Sequence, residues 1–149
     1  MLTNFYKSIS TFFGLGYLTP FPGTLTSFLT VVIIWLIQKY FGFQITLTCI
    51  FFITLLGYIV IEKDANKKSD PKEIVIDEFI GQSLVLVFLP LTYQDYILGF
   101  ILFRFFDIFK PMPINYFEKK YRNAFGVIFD DIIAAGYALL AIYIINYII

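Results

Sequence analysis

Six of the eleven acidic residues stand where a carboxylate is costly. Asp70 precedes a proline, and Asp77 and Glu78 run directly into Phe79-Ile80-Gly81. Asp107 sits within Arg104-Phe105-Phe106-Asp107-Ile108-Phe109-Lys110, and Asp130 and Asp131 open a long apolar run. At the edge of a hydrocarbon phase a carboxylate has to be paired, hydrated or bound to a cation. The other five acids have simpler readings: Asp95 belongs to a turn, and Glu62, Asp64, Glu73 and Glu118 sit among lysines as solvated loop charges. An oxygen-rich set without His or Cys suits hard cations, Mg²⁺ above all. The candidate ligands and bases are Asp77, Glu78, Asp107, Asp130 and Asp131. Among these, Asp77, Glu78, Asp107 and Asp131 are also the candidates for the catalytic work, and spacing alone does not divide ligand from base.

Arg104, Asp107 and Lys110 are three residues apart and share one helical face if a helix continues that far. Arg grips phosphate with two donors and Lys supplies a compact charge. The plainer reading is an Arg104–Asp107 salt bridge holding a bundle together, with Lys110 snorkelling to the interface. Upstream, Gly23 frees backbone amides, and Thr24 and Ser27 add hydroxyls at the entrance to an apolar segment. Such a turn receives an anion or simply caps a helix. The chain has no histidine and one cysteine, Cys49, in an apolar run. That composition excludes Ser-His-Asp triads, phosphohistidine chemistry, Cys- or His-ligated zinc and an intrachain disulfide.

These groups need elements to carry them, and the elements are apolar. Of 149 residues, 59% are hydrophobic and 15% charged, whereas a soluble domain carries roughly 25% charged residues. A single domain this small could not hide so much apolar surface from water. Residues 2–13 place Leu2, Phe5, Tyr6, Ile9, Phe12 and Phe13 on one helical face, predicting a helix lying in the membrane interface. Turn residues follow at 14–24. Apolar spans are expected at 25–41 and 43–61, a polar loop at 62–73, and a last span at 132–149. Between them, residues 79–89 and 96–106 are apolar but short, forming either a re-entrant hairpin or two helices with sunken polar ends. The stretch 107–131 is polar. With the amino terminus inside, ten of the eleven Lys and Arg fall on or near the inner side and only Lys39 lies opposite. The expected fold is therefore all-α: one domain over 1–149, a small polytopic bundle with an interfacial first helix. Near-zero net charge offers no surface for nucleic acid.

Taken together the segments resemble the phosphatidylglycerophosphatase A family over nearly the whole chain. Pro22-Gly23-Thr24 with Ser27 is similar to its first motif, and Asp70-Pro71 followed by Ile74-Val75-Ile76-Asp77-Glu78-Phe79-Ile80-Gly81 to its second. Residues 103–114, from Phe103-Arg104 to Pro113-Ile114, resemble the third, and residues 126–134, around Asp130-Asp131, the fourth. Thr26 stands where the first motif usually has a second glycine, Ile128 replaces a common methionine, and Ala135 replaces a glycine that here follows as Gly136. None of these departures removes an acid or a base. The resemblance implies a Mg²⁺-dependent phosphatase that converts phosphatidylglycerophosphate to phosphatidylglycerol at the bacterial cytoplasmic membrane. Its only partners would be the lipid substrate and the bilayer, with no obligate protein partner. Thr24, Ser27, Arg104 and Lys110 would then bind the phosphate beside the carboxylates. Two other classes compete. A CDP-alcohol transferase also uses acids and Mg²⁺, but its Asp-Gly-x-x-Ala-Arg signature is missing; a divalent-cation carrier needs charges along a path through the spans, and these acids cluster at one side.

Overall fold

The computed structural model describes residues 2–63, 72–121 and 123–148. Asp64, Lys67, Lys68, Asp70, Pro71 and Arg122 lie outside the described residues, as does the Asp70-Pro71 start of the second motif. Among the described residues six α-helices follow in order: α1 (Leu2–Ser10), α2 (Pro22–Lys63), α3 (Ile76–Val87), α4 (Tyr93–Phe109), α5 (Ile114–Lys120) and α6 (Ala124–Ile148). A 3-10 turn, Leu15–Tyr17, joins α1 to α2, and no strand occurs among the described residues.

The long helix α2 is two expected spans joined end to end. Its helical geometry breaks only at Gly42 (φ 77°, ψ 176°), at the junction between the apolar segments. Each arm has about 20 residues and is about 30 Å long, the thickness of a hydrocarbon core. Both α2 and α6 are long and apolar enough to cross a membrane. Only 28% of the most apolar stretch of α2 and 39% of that of α6 is buried within the protein. A core helix of a soluble domain would be mostly buried; here Phe28, Val32, Leu36, Phe51, Phe52, Leu140 and Ile144 all face outward.

By contrast, α3 is buried almost all round, from Ile76 to Val87. At 12 residues it is about 18 Å long, well short of a span. Its buried end therefore needs a partner for the last carbonyls, and Gln38 Nε2 donates to the Val87 carbonyl at 3.3 Å. Tyr96 Oη donates to Gln38 Oε1 at 2.6 Å, while Trp35 stacks on Tyr93 with centroids 4.7 Å apart. Thr92 caps α4, accepting from the Asp95 amide at 3.1 Å, and its hydroxyl also meets the Asp95 carboxylate. This end of the bundle carries no acid but Asp95 among the described residues.

Three boundaries depart from the sequence-based expectation. α1 stops at Ser10, because Phe12 and Phe13 adopt positive φ (48° and 57°) and fold the chain back. The polar stretch 107–131 contains a helix, α5, held by packing of Phe117 on Phe129 at 5.1 Å. And α6 begins at Ala124, so Asp130 and Asp131 lie two turns inside a helix rather than at its opening. Along α6 they fall between Ile128, part of an apolar cluster with Ile61, Ile76 and Ile80, and Ala134, part of a larger cluster with Val85, Phe103 and Ile142.

Candidate active site

The start of α3 is fixed from the amino-terminal side. The Val75 amide donates to the Ser10 carbonyl at 3.0 Å, and Phe12 stacks on Phe79 at 4.9 Å. Asp77 and Glu78 occupy the first turn of α3, where the helix dipole favours negative charge. Both main neighbours then approach through glycines. A Cβ on Gly23 would lie 2.1 Å from Glu78 Oε1 and 3.2 Å from an Arg104 Nη, so only glycine admits the acid and the base against the start of α2. A Cβ on Gly81 would lie 2.7 Å from the Phe103 ring and 3.0 Å from Asp131 Cβ, so the missing side chain lets α3 approach both α4 and α6 there.

The result is a compact acidic centre. Asp77, Glu78 and Asp131 each offer a carboxylate oxygen, all within 4.8 Å of one another. Asp77 and Asp131 are buried and Glu78 partly so. Asp107, also buried, bears electrostatically on both Glu78 and Asp131, and Asp130 adds to the field at Asp131. Glu78 Oε2 and Asp131 Oδ2 are fully shielded and have no hydrogen-bond partner among the described residues. Shielded like charges at this separation are strongly unfavourable without a counter-charge. The donor set is all carboxylate oxygen, which suits Mg²⁺, a hard cation that takes a few carboxylates and keeps several waters. Asp77, Glu78 and Asp131 fit that ion.

Basic groups complete the ring. Arg104 Nη1 donates to Asp107 Oδ2 at 2.6 Å, which is the salt bridge of the plainer reading. Its Nε is shielded and lacks a hydrogen-bond partner among the described residues. Lys110 does not continue the face of Arg104 and Asp107. α4 ends at Phe109, and Lys110 takes a left-handed conformation (φ 43°) that turns its amine to Asp130 Oδ2 at 2.8 Å. The following segment is tied down by Tyr137, whose hydroxyl donates to the Met112 carbonyl at 2.9 Å. Thr24 stands partly exposed in the first turn of α2, and Ser27 is completely buried one turn further on.

All the sequence-derived candidates thus fall on one end of the bundle, but in distinct places. Asp77, Glu78 and Asp131 form the centre, Asp107 with Arg104 flanks it, and Asp130, beside Asp131, is paired with Lys110. Gln82 escaped notice in the sequence. It sits one turn after Glu78, wholly buried, with neither amide atom hydrogen-bonded among the described residues. The signal was there: a polar side chain inside the apolar run 79–89.

A membrane-associated, all-helical enzyme with a carboxylate centre at one end is the class that fold and site define. Residues 8–146 match the phosphatidylglycerophosphatase A family, and the chain belongs to it. A phosphatidylglycerophosphatase A from Haemophilus influenzae is 38% identical over 138 residues, covering 91% of this chain and 85% of that protein. One from Escherichia coli is 28% identical over 149 residues, covering 98% and 86%. A Bacteroides thetaiotaomicron protein named provisionally as a phosphatidylinositol-3-phosphatase is 30% identical over 150 residues, covering 95% and 93%. No solved structure matches the chain.

Proposed function

We propose that this enzyme hydrolyses the terminal phosphate monoester of phosphatidylglycerophosphate, yielding phosphatidylglycerol and inorganic phosphate, with Mg²⁺ as cofactor. The observation that carries the reading is the trio Asp77, Glu78 and Asp131, flanked by Arg104 and Lys110, in a chain of this family. Membership, together with the names of the Haemophilus and Escherichia relatives, supports the substrate. The site lies at the end of the bundle where the basic residues gather, which supports a multi-pass topology in a bacterial cytoplasmic membrane with the site facing the cytoplasm. A lipid phosphate sits at that headgroup level.

Asp77, Glu78 and Asp131 would hold the metal, with Asp107 and Asp130 as further ligands or as acids that orient the set. Bound there, the ion would supply Lewis-acid polarisation and a more acidic attacking water. Arg104 is held by Asp107 with its guanidinium beside Gly23, so it meets a phosphoryl group entering over the start of α2. Lys110 and the Thr24 and Ser27 hydroxyls neutralise or orient the non-bridging oxygens, where phosphoryl-transfer charge resides. One of the acids takes the proton of the attacking water. An Asp-x-Asp pair of the aspartyl-phosphatase kind is missing from the sequence, which favours direct water attack over a phospho-enzyme.

The test is release of inorganic phosphate from phosphatidylglycerophosphate by purified protein in mild detergent. EDTA should abolish it and Mg²⁺ restore it. Asp77→Asn, Asp107→Asn and Asp131→Asn should each lower turnover by about 10²- to 10⁴-fold with the fold intact. Lys119→Ala, on an exposed residue of α5, should change turnover less than twofold. Wild-type rates from folded Asn variants would mean the carboxylates are structural. The Bacteroides relative makes phosphatidylinositol 3-phosphate the alternative substrate to run beside it, and faster release from that lipid would reassign the headgroup.

A further inference from the structure

The most polar part of the interior is not fully used by the mechanism above. Gln82 has 0% exposure, and neither Nε2 nor Oε1 has a hydrogen-bond partner among the described residues. The same holds for the hydroxyls of Ser27 and Thr26, both also at 0% exposure. A buried amide or hydroxyl left without a partner costs roughly 1–3 kcal/mol. Several such groups together make a polar surface that a ligand oxygen would satisfy.

Their placement follows from register. Glu78 meets α2 at Gly23, and the end of α3 meets it again at Gln38, so α3 and the first arm of α2 run in the same direction. Gln82 is one turn beyond Glu78, and Ser27 is one turn beyond Gly23. Both therefore lie about 6 Å deeper than the Gly23–Glu78 contact, on the faces that α3 and α2 turn to each other. Thr26 is beside Ser27, and Arg104 Nε, also shielded and without a partner among the described residues, belongs to the guanidinium that reaches Gly23.

Resting on the phosphatase reading, we propose that Gln82 is a further substrate-contacting residue. Its carboxamide and the Ser27 and Thr26 hydroxyls form a neutral donor layer that receives a phosphoryl oxygen at the inner end of the site. The chemistry suits the position. A lysine or arginine at this depth would pair with Glu78 and Asp131 and displace a cation from them. A carboxamide donates to a phosphoryl oxygen without neutralising the carboxylates. Gln82 Nε2 supplies the amide donor, and each hydroxyl keeps its single O–H donor for the phosphoryl oxygen.

The experiment compares wild-type full-length protein with Gln82→Leu and Gln82→Glu in mild detergent. It measures kcat and KM for lipid phosphate, inhibition by inorganic phosphate, and the thermal midpoint. Gln82→Leu removes buried polar atoms that have no hydrogen-bond partner among the described residues, so its midpoint should be unchanged or higher. Its kcat/KM should fall at least tenfold, and inhibition by inorganic phosphate should weaken at least tenfold. Gln82→Glu, of the same shape but an acceptor facing an anion, should weaken phosphate inhibition further, and it carries the test if the leucine variant does not fold. Wild-type kcat/KM and phosphate inhibition in both folded variants would overturn the proposal. So would stability and turnover falling together while phosphate inhibition stays unchanged, since that is the pattern of a packing residue. Absence of phosphate release by the wild-type protein would instead sink the phosphatase reading, which keeps the two failures apart.

Discussion

Glycine, as much as carboxylate, shapes this site. Gly23 leaves room for the Glu78 carboxylate and the Arg104 guanidinium at the start of α2. The atom that a Gly23→Ala side chain would meet first is Glu78 Oε1, the far end of a flexible side chain. The variant should therefore fold, with Glu78 swung out of the trio. The expected result is a loss of turnover of at least tenfold with a thermal midpoint within a few degrees of wild type. Gly81→Ala meets rigid groups instead, the Phe103 ring and the Asp131 Cβ. It should destabilise the protein by about 1–3 kcal/mol, read as a lower thermal midpoint in detergent. A Gly23→Ala protein with full activity would show that Glu78 need not sit where it does.

At the scale of elements, the division of labour is between α2 and α6, which face outward, and α3, which does not. A helix of 12 residues buried on nearly every side cannot be held by a bilayer. It is held at one end by Ser10, the last residue of α1, and by Phe12 in the turn that follows, and by Gln38 at the other. This explains why the amino-terminal segment bears on chemistry: it fixes the first turn of α3. The kink in α2 at Gly42 is the other element-scale device. Its backbone angles belong to a region open essentially only to glycine, and a Cβ added there would meet nothing within 4 Å. Gly42→Ala should thus cost about 1–3 kcal/mol from backbone strain alone. Because Gly42 is remote from the acids, the folded fraction should keep wild-type kcat. A loss of kcat at full stability would mean that the angle between the two arms sets the site.

For the molecule as a whole, the outward apolar surface of α2 and α6 is the property that a membrane must cover. Cys49, the single cysteine, is exposed in the second arm of α2 among Phe51, Phe52 and Ile45. In native membranes it should react with a membrane-permeant maleimide and resist a charged, impermeant thiol reagent from either side until detergent is added. Reaction with the charged reagent in intact membranes would place that arm in water. The acidic centre lies at the start of α3 and the Gln38–Val87 contact at its end, so the site and the closure of the bundle are separated along that helix.

The sequence by itself determined the membrane character, the two arms of α2, the last apolar helix and the identity of the acids. Each of these is a local matter: runs of apolar residues report on the solvent, and a carboxylate at the edge of such a run is anomalous wherever the chain goes. Tertiary structure decided which acids come together. Asp77 and Asp131 are adjacent in space but 54 positions apart in the chain, and Lys110 answers to Asp130 rather than Asp107 because one left-handed residue ends α4. Helix α5 was hidden in a polar stretch because packing of Phe117 on Phe129, rather than intrinsic propensity, supports it. For Gln82 the sequence held the anomaly, a polar residue in an apolar run, and the structure added that neither amide atom has a hydrogen-bond partner among the described residues. Contacts between distant segments depend on helix register and on where a missing Cβ allows close approach, and no local pattern records either.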